Sequence, residues 1–306
     1  MFISIVYLCC GAALLYLGAN WLVKSGINIA QKFHVSALVI GLTVIAFGTS
    51  LPELVISIHA VLMGSPTIAI GNVVGSNVAN VGLVLGLSSL IFPISIHFQK
   101  VKRDLFIYLG VCVIFILFAL NGIFSRLEGV LLFSGLILYT WIRIIHPTSK
   151  DPNTDKSQIK LSTIVGLFLV GVWALYYGSK LFVNGAVEIS RLLGISEVVI
   201  GMTIVALGTS IPELATSTVA AFKRQSAISV GNIIGSNLFN ILSVIGLVSI
   251  IKPLIVPPEI LLFEVPVMIV FGVVLIPAGL FKQPLSRVFS VGLILGYCYF
   301  IFELFN

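Results

Sequence analysis

The chain has 306 residues, 58% of them hydrophobic and 9% charged, with a mean hydropathy of +1.17. Soluble domains run near about 45–50% apolar and about 25% charged, so this composition excludes a soluble globular protein and indicates an integral membrane protein. The formal net charge of +6 calls for no nucleic acid, because Lys and Arg are distributed by side of the membrane.

Apolar runs long enough for a membrane helix, about 20 residues, lie near 2–23, 36–62, 68–92, 105–121, 128–145, 161–182, 196–221, 228–251, 260–280 and 286–305. Lipid offers the backbone no hydrogen-bond partners, so spans are helices or a closed barrel, and these runs lack strand alternation. The fold class is all-α and polytopic, with ten transmembrane helices. The first run has no basic residue ahead of it and no clear small-residue cleavage site, so it reads as a retained span. Cys9, Cys10, Cys112 and Cys298 all fall in apolar runs and read as small hydrophobes without a disulfide framework. Thirteen of the seventeen basic residues lie in or beside connections that follow odd spans, leaving Arg126, Lys180, Arg191 and Lys252 for the other side. The positive-inside rule then places the odd connections in the cytoplasm and both termini outside, in a plasma (cytoplasmic) membrane.

The second run carries Gly41-Leu-Thr-Val-Ile-Ala-Phe-Gly-Thr-Ser-Leu-Pro-Glu-Leu-Val-Ile-Ser57, and 160 residues later the chain repeats it from Gly201 to Ser217, with Glu213 standing where Glu53 stood. Gly71-Asn-Val-Val-Gly-Ser-Asn-Val-Ala-Asn80 recurs at the same spacing as Gly231 to Asn240, and residues 16–57 align with 176–217 without a gap, Ser36 matching Ser196. Five spans per copy is an odd number, so the second copy enters from the opposite face: two inverted-topology repeats, a transporter architecture with its site near the midplane. The division is 1–146 for the first five-helix repeat, 147–160 for a cytoplasmic linker and 161–306 for the second repeat. The linker, with Pro147, Pro152 and mixed charge, is too short for a folded domain.

A carboxylate at the centre of a membrane helix costs about 2.5–3.5 kcal/mol on insertion scales, so it is rarely kept for packing. Glu53 and Glu213 are such residues. Asp104, Glu128, Asp151, Asp155, Glu188, Glu197, Glu259 and Glu303 fall at span ends or connections and read as solvated, and Glu264, just inside the ninth span, as interfacial. Pro52 and Pro212 should open their helices one turn before each acid, at the carbonyls of Gly48 and Gly208, and freed carbonyls are cation ligands. Thr49 and Ser50 lie four and three residues before Glu53, which predicts both hydroxyls on its side of the helix, and Thr209 and Ser210 repeat this before Glu213. Gly71 with Gly75, and Gly231 with Gly235, permit close helix approach. Ser76, Asn77 and Asn80 share a face, as do Ser236, Asn237 and Asn240. Asn77 and Asn237 suit either interhelical hydrogen bonds or coordination, whereas Asn80 and Asn240 favour coordination. His59 sits near the end of its helix without a counterpart, since Val219 replaces it, and reads as interfacial. Carboxylate, hydroxyl, amide and carbonyl oxygens specify a hard cation. Two glutamates balance one Ca²⁺, and Na⁺, close in size, uses the same oxygens, so competition at one site would couple two fluxes.

At these residues the chain resembles the cation/Ca²⁺ exchanger superfamily, in particular its Na⁺/Ca²⁺ exchanger branch, whose two α-repeats carry Gly-Thr-Ser-x-Pro-Glu and Gly-Ser-Asn-x-x-Asn/Asp. The resemblance covers nearly the whole chain and implies a central Ca²⁺ site from Glu53, Glu213, Thr49 and Thr209. Flanking Na⁺ sites would use the Ala46 and Ala206 carbonyls with Ser50, Ser210, Ser76 and Ser236, and Asn80 and Asn240 would line the middle. It also implies that spans 2–23 and 161–182 slide across the bundle during alternating access. Asn240 departs from the Asp that many exchangers and the K⁺-dependent branch carry there, which weakens a case for K⁺ cotransport. An H⁺/Ca²⁺ or K⁺-dependent exchanger is the alternative, and a cation channel a more distant one. No nucleophile–base pair or His/Cys cluster accompanies the two acids, so no enzyme reaction and no cofactor are expected. The partners are Ca²⁺, Na⁺ and the lipid bilayer, and the sequence leaves the oligomeric state open.

Overall fold

The computed structural model describes residues 1–145, 158–195, 200, 204, 206–280 and 284–304. Residues 147–157 of the linker, Ser196, Glu197, and the stretch 201–203 and 205 of the second glutamate motif lie outside the described residues. The helices are α1 (Phe2–Phe33), α2 (Ala37–Thr49), α3 (Leu51–Leu62), α4 (Pro66–Ile91), α5 (Phe98–Ala119) and α6 (Arg126–Ile145). After the linker come α7 (Leu161–Leu192), α8 (Ala206–Gly208), α9 (Ile211–Phe222), α10 (Ser226–Ile251), α11 (Ile260–Leu280) and α12 (Arg287–Glu303). Six of these, α1, α4, α6, α7, α10 and α11, are long and apolar enough to cross a membrane, and α2 with α3 makes a seventh, bent by 42° at Ser50. The all-α expectation needs one amendment: Ile123–Phe124 (β1) pairs antiparallel with Leu254–Ile255 (β2), tying two connections together.

α1 and α7 are each 32 residues long, ten residues longer than the apolar runs 2–23 and 161–182. The runs end where polar side chains begin, at Lys24 and at Asn184, but neither change removes a backbone hydrogen bond, so the helices continue. α1 stops only where His34 turns left-handed (φ 54°) and its N–H bonds the Ala30 carbonyl. The two helices touch backbone to backbone: a Cβ on Gly18 would stand 2.9 Å from the Gly171 carbonyl oxygen. Small residues at such contacts let membrane helices approach.

α4 and α10 form the centre of the bundle, 72% and 89% buried over their apolar windows. Pro66 opens α4 in the first turn, where its missing N–H would lack an intrahelical partner anyway. Gly231 and Gly235 bring α10 onto α2, with Cβ positions 2.7 and 2.6 Å from the Leu38 and Leu42 carbonyls. This crossing joins the second motif of one half to the first motif of the other. Among the described residues a Cβ on Gly71 or Gly75 meets nothing within 4 Å; the stretch corresponding to the α2 contact, 201–203, lies outside them.

One acid is placed differently from its reading as solvated. Asp104 is fully buried, ion-paired with Arg143 at 2.9 Å and accepting from Tyr139 Oη at 3.0 Å. Arg143, counted among the cytoplasmic flanks, is therefore spent inside the bundle. A carboxylate near a helix end can be buried when a second helix brings a partner, here α6, and that pairing across 39 residues has no local signature.

Candidate functional site

At the glutamate motif the helix opens into a break, in the turn before the acid. α2 ends at Thr49, Ser50 takes φ −89° and ψ 5°, and α3 starts at Leu51 with Pro52 in its first turn. Ser210 repeats this at φ −87° and ψ 1° before α9, with Pro212 in the first turn. The proline sits where no N–H is required, and the acid follows in the same first turn, Glu53 on α3 and Glu213 on α9. The positive end of each half-helix dipole thus lies beside its carboxylate.

The break redirects the hydroxyls. On a continuous helix Thr49 and Ser50 would face Glu53, but Ser50 Oγ donates to Glu213 Oε1 of the other half, at 3.2 Å. Thr49 Oγ1 reaches Asn232 Oδ1 at 3.0 Å, Ser236 Oγ at 3.3 Å and the Ala46 carbonyl at 3.3 Å. On the opposite side Thr209 Oγ1 meets Ser76 Oγ at 3.3 Å and Asn72 Oδ1 at 3.4 Å, while Ser210 Oγ has no partner. The carbonyl of Gly208 accepts a hydrogen bond from Ser179 of α7 at 2.6 Å. Ala206 opens the short α8.

Both asparagine faces begin a stretch of π-helix, Asn80–Leu85 in α4 and Asn240–Ile245 in α10. Widened turns of this kind occur at functional sites. They let the two faces cross-pair: Asn80 Nδ2 donates to Asn237 Oδ1 and Asn240 Nδ2 to Asn77 Oδ1, both at 3.0 Å. Asn77 Nδ2 also reaches the Asn237 carbonyl at 3.3 Å. Asn77 and Asn237 therefore serve as interhelical glue, and the Oδ1 atoms of Asn80 and Asn240 remain unpartnered.

Glu53, Glu213, Thr49, Ser50, Ser210, Ser76, Ser236, Asn80, Asn240 and Ala46 are all buried, and Thr209 is half-buried. Within this cluster six oxygens have no hydrogen-bond partner among the described residues: Glu53 Oε1 and Oε2, Glu213 Oε2, Asn80 Oδ1, Asn240 Oδ1 and Ser210 Oγ. An unsatisfied buried neutral group costs about 1–3 kcal/mol, and a charged one more. Two carboxylates, two amides and a hydroxyl make a donor set for a hard cation of six to eight coordination rather than for a softer metal. Among the described residues no His or Cys joins them, and His59 is exposed on α3.

Two functional residues escaped the sequence reading. Asn72 Nδ2 bonds Ser57 Oγ at 3.0 Å and the Glu53 carbonyl at 3.3 Å, so it fixes the acid's helix while its Oδ1 faces Thr209. Asn232 does the same for α9, bonding Ser217 Oγ at 3.1 Å and receiving Thr49. The signal was present, since Asn72 and Asn232 recur at the 160-residue offset within the second motif.

A sequence model for the family described as sodium/calcium exchanger protein matches the chain twice, over residues 3–145 and 163–305. The sodium/calcium exchanger MaX1 of Methanosarcina acetivorans is 34% identical, with 99% of each chain covered. The putative antiporter CaxA of Alkalimonas amylolytica is 35% identical, covering 83% of this chain and 82% of its own. The solved structure of the sodium-calcium exchanger NCX_Mj, soaked with zero Na⁺ and Ca²⁺, superposes with a TM-score of 0.85 at 33% identity, covering 99% of each chain. Sequence, fold and the twice-occurring motif agree: this chain belongs to the sodium/calcium exchanger family.

Proposed function

We propose that the protein is a secondary antiporter that exchanges Na⁺ for Ca²⁺ across the membrane by alternating access. The observation that carries this reading is the group of six unpartnered, buried oxygens shared between the two glutamates, Asn80, Asn240 and Ser210. Glu53 and Glu213 are both fully buried in the bundle, and their formal charge of −2 matches one Ca²⁺. Na⁺ uses the same oxygens with different charge, so occupancy by one ion excludes the other and the fluxes are coupled. Thr49, Thr209, Ser50, Ser76, Ser236 and the Ala46 and Ala206 carbonyls complete the ligand set as hydroxyl and carbonyl donors around that centre. With Asn240 in place of an acid, transport needs no K⁺.

The architecture supporting this mechanism is ten spans in two inverted repeats, 1–146 and 161–306. Added to the seven spans above, α5, α8 with α9, and α12 complete the ten. Both termini lie outside and the 147–160 linker in the cytoplasm, in accord with the distribution of Lys and Arg. The β1–β2 pair is consistent with this, because it joins the connections after the fourth and eighth spans, which inversion puts on one side. The close-packed α1 and α7 lie against the broken helices, with Ser179 holding Gly208, and their movement would switch access.

Radiolabelled Ca²⁺ uptake into proteoliposomes, with Na⁺, K⁺ or H⁺ gradients imposed singly, tests the function. An outward Na⁺ gradient alone drives uptake. Uptake that needs an H⁺ or K⁺ gradient, or that proceeds with none, contradicts the proposal. For topology, cysteines introduced at 147–160 react only with reagent on the cytoplasmic side, and labelling from outside reverses the orientation.

A further inference from the structure

Asn240 brings an oxygen to the glutamate cluster only if its amide stands one way round. The carbonyl and amino ends of an asparagine are alike in shape, so the neighbouring donors and acceptors decide which end points where. Asn240 Nδ2 is spent on Asn77 Oδ1 at 3.0 Å, which leaves Asn240 Oδ1 without a partner among the described residues. The Asn77 amide is the next link, and its Nδ2 has two acceptors. One is the Asn237 carbonyl at 3.3 Å, and the other is Met268 Sδ of α11 at 3.5 Å. A carbonyl oxygen and a thioether sulfur accept but cannot donate. Reversed, Asn77 would set its Oδ1 against both of them and its Nδ2 against the amino group of Asn240. The two acceptors therefore fix Asn77, and Asn77 fixes Asn240 with its oxygen free.

A buried methionine is ordinarily a flexible gap-filler, and Met268 is fully buried. Its sulfur nevertheless lies on an amide that bonds a site residue. The repeat makes the choice of side chain informative. Tyr108 stands 160 residues before Met268, and a phenol can donate as well as accept. Tyr108 Oη and Asn237 Nδ2 both lack a partner among the described residues. The Asn77–Asn240 pair thus ends on an acceptor-only side chain, and the Asn237–Asn80 pair does not.

We propose that Met268 is a positioning residue for the cation site: its thioether holds the Asn77 amide in the orientation that leaves Asn240 Oδ1 for the cation. That role rests on the exchanger reading for the identity of the cation and on the hydrogen bonds alone for the orientation of the amides.

Two substitutions in the full-length chain separate positioning from packing. Met268→Leu keeps an apolar side chain of similar volume and removes the acceptor, whereas Met268→Gln keeps an acceptor oxygen at similar reach and buries an additional amino group. Packing alone ranks Leu above Gln in both melting temperature and Ca²⁺ affinity. Positioning reverses the affinity order: equilibrium Ca²⁺ binding in detergent micelles weakens about three-fold or more in Met268→Leu, the scale of one neutral hydrogen bond, and stays within about two-fold of the wild type in Met268→Gln. Unchanged affinity in Met268→Leu overturns the proposal whether or not Met268→Gln folds, and so does weaker binding by folded Met268→Gln than by Met268→Leu. Side-chain amide resonances of the chain carrying isotope-labelled asparagine, recorded without Na⁺ or Ca²⁺ and assigned with Asn77→Ser and Asn240→Ser, give a readout that needs no cation. Met268→Leu shifts the signals of both Asn77 and Asn240, and a shift confined to Asn77, or none, overturns the proposal. A wild type that binds no Ca²⁺ contradicts the exchanger reading instead, and the two resonances then decide the role of Met268 by the same criterion.

Discussion

The two halves of the molecule supply the same residue types at the same offset, yet they treat their acids differently. Glu213 accepts from Ser50 at 3.2 Å and is within 3.5 Å of Ser236, both through Oε1. Among the described residues neither oxygen of Glu53 has a partner, and Ser210, the counterpart of Ser50, donates to nothing. A second contrast lies further out. Asp104 is locked to Arg143 and Tyr139, whereas Glu264, its counterpart 160 residues later, is half-buried with Oε2 unpartnered. There α12 offers Phe300, which stacks on Phe263 with ring centroids 5.9 Å apart. A repeated motif thus dictates which ligand atoms arrive at the site, while the electrostatic surroundings of each copy depend on helices that the motif does not include.

The largest effect should come from neutralising either acid. Glu53→Gln and Glu213→Gln each remove half the charge that balances Ca²⁺, so Na⁺-driven Ca²⁺ uptake falls by at least about 100-fold, or about 2.8 kcal/mol at roughly 1.4 per tenfold. The halves separate when melting temperature is measured without Na⁺ or Ca²⁺. Glu53→Gln replaces a buried acid whose oxygens have no partner among the described residues and raises it, and Glu213→Gln raises it less, because it also weakens the bonds from Ser50 and Ser236. Equal shifts would mean that the two carboxylates are equivalent.

The outer contrast predicts a difference in stability rather than in transport. Asp104→Asn leaves Arg143 buried without its counter-charge and costs about 3–5 kcal/mol in unfolding experiments in micelles. Glu264→Gln changes stability by about 0.5 kcal/mol or less, the ordinary range for a group with no specific partner. Comparable losses in both would remove the distinction. Smallest is the serine pair. Ser50→Ala deletes a hydrogen bond to a carboxylate, worth about 1.5–3 kcal/mol, and Ser210→Ala, without such a bond, stays within about 0.5 kcal/mol in the absence of Na⁺ and Ca²⁺.

Helix content, the repeat and the ligand types were legible because hydropathy and a 160-residue offset are local or periodic signals. Glu53, Asn80 and their counterparts could be named as candidate ligands on polarity alone, since few reasons other than function retain such groups in lipid. Three features were not legible. The opening before Glu53 falls at Ser50 and turns the Ser50 hydroxyl from its own acid to Glu213 of the other half, which i, i+4 spacing within one helix cannot reveal. The π-helical turns at Asn80 and Asn240 accompany cross-pairing with Asn237 and Asn77, a contact between halves. The Asp104–Arg143 pair likewise needs α5 and α6 side by side.

The central claim is that both halves contribute to one cation site for which Ca²⁺ and Na⁺ compete. Equilibrium Ca²⁺ binding to the purified full-length chain, titrated with Na⁺ and repeated for Glu53→Gln and Glu213→Gln, tests it most directly. The account predicts Ca²⁺ binding that Na⁺ displaces and that either substitution abolishes. Ca²⁺ binding indifferent to Na⁺, or retained at full strength when one of the two glutamates is neutralised, would contradict it.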